Sequence, residues 1–118
     1  MASLTLTKHH GLGNDFLVVF DLDVPDPPAL ARTVCDRRTG IGADGLLIGS
    51  TAPGHAARMQ LINADGSHAE MSGNGIRCFA QALFMRGLGG SLSILTGAGP
   101  RTVEVSASAA GDTVLAAV

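Results

Sequence analysis

The chain has 118 residues, of which 46% are apolar, and carries a formal net charge of −2. A chain of this length has room for one domain with one core, so we predict a single domain over residues 1–118. No block of Lys or Arg is present, which argues against nucleic acid and membrane surfaces as partners. The pair Arg37-Arg38 is typical of solvated surface.

Cysteine usage and the N-terminal residues bear on the cellular compartment. Cys35 and Cys78 are too few for a disulfide framework and fit a reducing environment. The first residues alternate between apolar and polar types and lack the apolar core of a secretory leader. No apolar run approaches the length of a membrane span. We therefore expect a cytoplasmic protein.

The N-terminal part of the chain predicts two strands and one helix. Leu4–Lys8 alternates at period two and predicts a first strand, which a loop over His9–Asn14 follows. The continuous apolar run within Asp15–Asp21 predicts a second strand that is covered on both faces. Asp26 precedes two prolines and predicts a helix start, and we expect this helix to reach about Arg38.

The rest of the chain predicts further strands and a second helix. Over Gly75–Arg86 apolar side chains recur at helical spacing and also occupy the other sides, which predicts a buried helix. Such a helix among strands favours an antiparallel sheet wrapped around it over alternating βαβ units. The predicted strands of this part are Leu46–Ser50, Arg58–Asn63, Leu92–Thr96, Thr102–Ala107 and Thr113–Val118.

The segment Asn63–Cys78 holds most of the candidate functional residues. A strand ends at its first residue, and Asp65-Gly66 is a turn signal. Ser72 then takes the N-cap position of the buried helix, with Gly73-Asn74-Gly75 as the first helical turn. The first N–H groups of a helix have no intrahelical acceptor, so this segment predicts a site for an anionic group.

Neutral amides accompany the predicted anion site. Asn14, Asn63 and Asn74 each offer donors and an acceptor, which suits a zwitterion such as an amino acid better than a phosphate ester. The alternative is purely structural, because Ser is a favoured N-cap and Gly and Asn are common in loops. Gly75 stands where a capping box has Glu or Gln, so the helix start is weak, which favours a ligand site.

Three motifs stand in order along the chain. The first is Gly11–Phe16 and the second is Gly40–Gly45. The third combines Asn63–Ser67 with Gly73–Cys78. With this order and spacing, nearly the whole chain closely resembles the N-terminal half of the diaminopimelate epimerase family.

The resemblance implies the α+β class, with a mixed, mostly antiparallel sheet curled into a barrel-like roll around a central buried helix. It implies the isomerisation of LL- to meso-diaminopimelate in lysine and cell-wall precursor synthesis, without pyridoxal phosphate, another cofactor or a metal. Two cysteines, one from each half of such an enzyme, exchange protons with opposite faces of the substrate α-carbon. The substrate contacts of the family fall here on Asn14, Asn63, Gly73 and Asn74.

The chain departs from the family pattern at the first of those cysteines, where it has Ser72. A hydroxyl needs an adjacent base to become a nucleophile or base, and the sequence places no His or Lys beside it. His68 is the nearest candidate and reads as a surface turn residue. Cys78 lies about 9 Å further along the helix axis and on another side, so we expect it to pack in the core.

The family's second half is missing from the 118 residues, which leads to two main hypotheses. The first is a truncated N-terminal half of a diaminopimelate epimerase, inactive alone, whose partners are the substrate and a C-terminal half. The second is a self-associating protein that binds diaminopimelate or a similar amino acid without turning it over. A related amino-acid racemase is a third possibility, because neighbouring families share the fold.

Overall fold

A computed structural model describes residues 5–11, 13–20 and 23–107, and the backbone of 114–117. This part of the chain forms two helices and eight strands. The elements are β1 (Thr7–Gly11), β2 (Asn14–Phe20), α1 (Pro27–Cys35), β3 (Gly45–Ser50), β4 (Ala57–Asn63), β5 (His68–Ala69), α2 (Gly73–Met85), β6 (Gly90–Thr96), β7 (Gly99–Ala107) and β8 (Val114–Ala117). Leu4, Asp21, Thr113 and Val118, which bound predicted strands, lie outside the described residues.

All eight strands belong to one sheet that curls around α2. Its order is β1-β2-β3-β4-β6-β7-β8, with β5 paired to the end of β4. The pairs β2/β3 and β4/β6 are parallel and the other pairs are antiparallel. Helix α2 contacts both β1 and β8, the two ends of the sheet order. The predicted α+β class, with a mixed, mostly antiparallel sheet curled around a central helix, is confirmed.

The sheet nevertheless contains the βαβ connections that the sequence pattern had disfavoured. Helix α1 connects the parallel strands β2 and β3, and α2 connects the parallel strands β4 and β6. The reason is geometric, because a parallel neighbour requires a crossover, and each helix supplies one. A sheet can therefore be mostly antiparallel and still hold both helices in crossovers.

Strand β2 is buried on both faces, as its continuous apolar run predicted. Phe16 and Val18 belong to the core between the sheet and α2. Leu17 and Val19 belong to a second core under α1, together with Ala31 and other small or aliphatic side chains. Successive side chains of a strand point to opposite faces, so a strand between two helices needs apolar residues at every position.

The first strand is shifted relative to its prediction. His9 to Gly11, predicted as a loop, pair with β2 as His9↔Phe16, His10↔Asp15 and Gly11↔Asn14. Gly13 has a φ of +91°, which favours glycine, directly before β2 begins at Asn14. The motif Gly11–Phe16 is therefore part of a tight antiparallel pair, and Asn14 is its last paired residue.

Helix α1 ends at Cys35 and not near Arg38. Asp36 is extended, and its carboxylate accepts hydrogen bonds from the backbone of Arg38 and Thr39 at 2.8 and 3.0 Å. Aspartate in such a turn competes with helix continuation. The carbonyl of Val34 accepts instead from Ile41 and Gly42, at 2.9 and 3.0 Å, so the following loop folds back over the helix end.

Helix α2 matches its prediction closely, and β5 was missed. The helix is capped by Ser72 and ends before Gly87, whose φ of +94° permits the reversal. Two residues are too short for a periodicity signal, which explains the missed strand. Neither helix in the described part of the chain has the length and apolar run that crossing a membrane requires.

Candidate functional site

Ser72 caps helix α2. Its backbone is extended, and its Oγ accepts a hydrogen bond of 3.0 Å from the Gly75 N–H. A Cβ on Gly75 would lie 3.1 Å from the Ser72 Cβ, so a larger residue there would require the cap to shift slightly. The N–H groups of Gly73 and Asn74 precede the first intrahelical bonds and have no acceptor within the helix. This arrangement is the predicted helix N-terminus, with two backbone N–H groups that the helix itself does not use.

Asn14 and Asn74 join the first motif to the third. Asn74 Nδ2 donates to Asn14 Oδ1 at 2.6 Å, and Asn14 Nδ2 donates to Asp44 Oδ2 at 3.0 Å. Asp44 belongs to the second motif, Gly40–Gly45. The three motifs, which are far apart in the sequence, therefore meet through one chain of side-chain hydrogen bonds next to the helix start.

Arg37 holds Asp44, one end of this series of side-chain hydrogen bonds, against Asp15. Its guanidinium contacts both carboxylate oxygens of Asp15, at 2.8 and 3.2 Å, and Asp44 Oδ1 at 3.1 Å. The hydrogen bond from Arg37 holds the pKa of the Asp15 carboxyl well below its usual range. Arg37 lies on the surface, as expected, with its side chain 56% exposed, but it is also ion-paired.

Arg77 lies at the other end of the hydrogen-bond chain. Its Nη1 donates to Asn74 Oδ1 over a long 3.4 Å, and lies 3.6 Å from where a Gly73 Cβ would stand. A half-buried cation thus accompanies the helix N-terminus. Arg77 was not among the predicted site residues; the signal that could have indicated it is its i+3 spacing from Asn74 on a helix.

Asn63 is held by a separate set of contacts in the β4–β5 turn. Its Nδ2 donates to Ser67 Oγ at 3.0 Å, and the Ser67 hydroxyl donates to Asp65 Oδ1 at 2.6 Å. Gly66, with a φ of +90°, completes the turn by donating to the Asn63 carbonyl at 2.9 Å. The predicted turn at Asp65-Gly66 is confirmed.

The sheet register brings Asn63 to the same edge as Asn14. Asn63 ends β4 opposite Gly45, which begins β3 and pairs in turn with Phe16 near the start of β2. No hydrogen bond among the described residues joins Asn63 to Asn14 or Asn74. The structure therefore brings Asn14 and Asn74 together with Ser72 and Gly73 on one helix start, and places Asn63 at the shared sheet edge.

Neither cysteine can serve as an exposed thiol. Cys78 is fully buried on α2, and burial raises its pKa to about 11. Cys35 is 2% exposed, and burial raises its pKa as well. Both are core residues, as predicted for Cys78. His68 is exposed on β5, and within the described part of the chain the Ser72 hydroxyl makes no hydrogen bond to a His or Lys.

Two further observations bear on ligands. No group of three or more His, Cys, Asp or Glu side chains among the described residues is arranged to hold a metal ion. A groove of about 670 Å³ lies between β4, β5 and β6, and Arg58, His68 and Glu70 are part of its lining. None of the predicted site residues lines it, so this groove lies apart from the predicted chemistry. The predicted site residues Asn14, Ser72, Gly73 and Asn74 lie instead at the helix start, where side chains of the three motifs are hydrogen-bonded to one another.

The fold and the three joined motifs define the class of protein. The sequence profile of the diaminopimelate epimerase family matches residues 6–115, and the chain belongs to that family. It is 48% identical over 112 residues to the diaminopimelate epimerase of Moorella thermoacetica, covering 88% of this chain and 40% of that protein. It is 51% identical over 87 residues to that of Caldanaerobacter subterraneus, covering 72% and 31%. The chain therefore spans well under half the length of these relatives.

Solved structures share the fold at low sequence identity. The Bacillus anthracis phenazine biosynthesis protein of the PhzF family has a TM-score of 0.74 and 20% identity, over 94% of this chain and 38% of that one. A PhzF-family protein of Enterococcus faecalis has a TM-score of 0.59 and 16% identity, over 78% and 34%. These similarities support the curled-sheet architecture alone.

Proposed function

We propose that the chain supplies the substrate-binding N-terminal half of a diaminopimelate epimerase. The observation that carries this proposal is the hydrogen-bond chain that joins Asn14, Asn74 and Asp44 beside the capped helix start. It brings residues from all three family motifs to one place. Two separate segments present side-chain amides, and a third supplies the Asp44 carboxylate, beside first-turn N–H groups that have no acceptor within the helix.

The helix start is suited to the carboxylate of an amino acid. The N–H groups of Gly73 and Asn74 point outward from the first turn, where the helix dipole favours negative charge. The amides of Asn14 and Asn63 offer neutral donors and acceptors at the adjoining sheet edge. A zwitterion can then bind through its carboxylate at the helix and through its other polar groups at the amides.

Ser72 occupies the position that the family resemblance assigns to one of two catalytic cysteines. Its Oγ accepts from Gly75, and no described His or Lys is hydrogen-bonded to it, so nothing removes its proton. A thiol near pKa 8.5 at a helix N-terminus can ionise, whereas an unassisted hydroxyl does not. We therefore propose that this chain binds substrate but does not abstract the α-proton, and that the second base comes from a C-terminal half.

The test is α-proton exchange. LL-diaminopimelate in heavy water is incubated with this chain and a separately produced C-terminal half of the Moorella relative, and loss of the α-proton signal is followed by NMR. We expect the Ser72→Cys variant to exchange about a hundredfold or more faster than the unmodified chain. The matched control is Ser91→Cys, which puts a thiol on an exposed position of β6 and should remain as slow as the unmodified chain.

Two outcomes count against the proposal. Equal exchange by the unmodified chain and Ser72→Cys shows that residue 72 is not the limiting base. No exchange by Ser72→Cys, together with saturable binding of diaminopimelate, favours the second candidate function, a self-associating amino-acid-binding protein. The serine itself is the observation that favours this candidate. Selective exchange of another amino acid supports a related racemase.

A further inference from the structure

An asparagine side chain presents a donor on one side and an acceptor on the other, and the two orientations are nearly equal in shape. A binding site built on asparagines therefore works only if something sets which group faces the ligand. Asn14, Asn63 and Asn74 are all half-buried, and each is engaged by at least one side chain. The identity of those partners determines the orientation.

Asp44 determines the direction of the hydrogen bonds at the Asn14 end of the series that joins Asp44, Asn14, Asn74 and Arg77. A carboxylate only accepts hydrogen bonds, and Asp44 Oδ2 accepts from both the Asp15 N–H at 3.1 Å and Asn14 Nδ2 at 3.0 Å. Asn14 must therefore turn its NH2 group towards Asp44 and its Oδ1 towards Asn74.

Arg77 determines the direction of the hydrogen bonds at the Asn74 end of the same series. Asn74 Nδ2 donates to Asn14 Oδ1 at 2.6 Å, which leaves Asn74 Oδ1 facing the guanidinium of Arg77. A guanidinium only donates. An acceptor-only group at one end and a donor-only group at the other allow a single direction for every bond between them.

Asp65 sets the orientation of Asn63 by the same chemistry. Its Oδ1 accepts from both the backbone N–H and the hydroxyl of Ser67, at 2.9 and 2.6 Å. The Ser67 proton is then used, and its oxygen can only accept the bond from Asn63 Nδ2. These hydrogen bonds from Ser67 lower the pKa of Asp65, as expected for a carboxylate that only accepts.

We propose that Asp44 and Asp65 are positioning residues that fix the amide orientations of Asn14, Asn74 and Asn63. Each aspartate acts through an asparagine and does not itself have to touch the ligand. Asp44 controls the pair at the helix start, and Asp65 controls the sheet edge. The ligand role of the amides rests on the proposed function, but the direction of the hydrogen bonds does not.

The test is NMR of the labelled chain without ligand. Scalar couplings across hydrogen bonds should connect Asn74 Nδ2 to Asn14 Cγ and Asn14 Nδ2 to Asp44 Cγ. In Asp44→Ala the Asn74–Asn14 coupling should weaken, because only the long 3.4 Å contact with Arg77 then sets its direction, and the Asn63 side-chain signal should be retained. In Asp65→Ala the effect should reverse, so each variant is the control for the other. A general loss of structure would disturb all three asparagines together.

The conservative variants keep the test decisive if an alanine variant fails to fold. In Asp65→Asn the backbone N–H of Ser67 holds an oxygen in the original place, so the Asn63 signal should return. In Asp44→Asn the oxygen held by the Asp15 N–H should restore the Asn74–Asn14 coupling, with loss of the Arg37 contact to the other side of residue 44. A coupling from Asn14 Nδ2 to Asn74 Cγ, or unchanged asparagines in both alanine variants, overturns the proposal.

Ligand binding separates this proposal from the proposed function. In Asp44→Ala the dissociation constant for diaminopimelate should rise about fivefold and recover in Asp44→Asn. The expected couplings with no diaminopimelate binding in any variant would refute the proposed function and leave the hydrogen-bond direction standing. Diaminopimelate bound equally well by Asp44→Ala and the unmodified chain would refute the positioning role.

Discussion

The Ser72 hydroxyl caps helix α2. A catalytic thiol at this position would have to cap the helix and also transfer protons. Its oxygen satisfies the Gly75 N–H at 3.0 Å, in a first turn that contains two glycines and therefore has little helix propensity of its own. The cap offsets part of that weakness. At the scale of this residue, the proposed binding and the stability of the helix depend on the same atoms, because fraying of the first turn would also displace the Gly73 and Asn74 N–H groups.

Ser72→Ala should lower the free energy of unfolding by about 1 kcal/mol, because it removes the acceptor for the Gly75 N–H. Ser72→Asp should restore most of that loss, since aspartate is also a good N-cap. Chemical denaturation measures both, with Ser91→Ala on the exposed side of β6 as the matched control. Equal stability of Ser72→Ala and the control would mean that the cap contributes little.

The two native thiols should be unreactive in the folded protein. Cys78 and Cys35 are buried, and burial raises the pKa of both, to about 11 for Cys78. Alkylation by iodoacetamide near pH 8 should therefore be slow until the chain is unfolded. Ser72→Cys should add one fast-reacting thiol, with a pKa below about 8.5, because it lies at a helix N-terminus. Fast alkylation of the unmodified folded chain would contradict the burial of its cysteines.

At the scale of elements, helix α2 is both the centre of the core and the support of the site. Phe79 is fully buried on this helix and lies against Phe20, with ring centroids 5.4 Å apart. Gly49 leaves room for the two rings, since a Cβ there would be 2.9 Å from Phe79 and closer still to Phe20. Packing two turns below the helix start thus determines where the Gly73 and Asn74 donors stand.

Phe79→Ala should lower the free energy of unfolding by about 3–5 kcal/mol, because it leaves a cavity between α2 and the sheet. Met85→Ala removes a large apolar side chain from the same helix, but Met85 is 66% exposed, so its effect should be within about 0.5 kcal/mol. Denaturant unfolding of both variants gives the comparison. Similar losses for the two would place Phe79 outside the core.

The long elements could be predicted because their patterns are local. The apolar run of β2 and the helical spacing of α2 follow directly from which faces are covered. The end of α1 could not, since it depends on the Asp36 turn and on the loop that folds back to Val34. A mixed sheet was predicted, but not which strands pair in parallel, because pairing between strands separated in the sequence leaves no local signal.

The residues of the candidate site, like the elements of the fold, could be predicted in part from the sequence. Ser72, Gly73, Asn14 and Asn74 are assembled at the helix start, and their roles with a ligand remain predictions. Asp44 and Arg37 were not predicted as site residues. Both act through contacts between segments 22 or more residues apart in the sequence, such as the contact of Arg37 with Asp15. Only the folded chain brings those charges together.

At the scale of the whole molecule, the Asp15 cluster ties together the N-terminal strands and the loop after α1. Lys8, Arg37 and Asp44 all contact Asp15, through side chains or backbone. Asp15 is only 12% exposed, so its charge depends on these partners. Because they come from β1 and from the segment between α1 and β3, loss of this charge should weaken the global fold.

The Asp15 cluster should make stability fall in acid. The hydrogen bond from Arg37 lowers the pKa of Asp15 in the folded state. Its contribution is therefore complete above the unfolded pKa of about 3.9 and is lost as pH falls towards the folded value. The stability difference between the unmodified chain and Asp15→Asn should be constant above about pH 5 and shrink below it.

Urea unfolding as a function of pH measures this difference, with Asp23→Asn at an exposed position as the control. The titration of other groups, such as His9, cancels in the comparison. A difference that grows as the pH falls would have the wrong sign for a carboxylate with a lowered pKa, and would show that the cluster does not hold Asp15 ionised.

The most direct test of one site built from three motifs is a titration of the ¹⁵N-labelled chain with meso-diaminopimelate. We predict saturable shifts, with one dissociation constant, in the backbone amides of Gly73 and Asn74 and in the side-chain amides of Asn14 and Asn63. Signals from the groove beside His68 and Glu70 should not move with that constant. Saturable shifts confined to the groove, or none at the helix start, would contradict the assignment of the site.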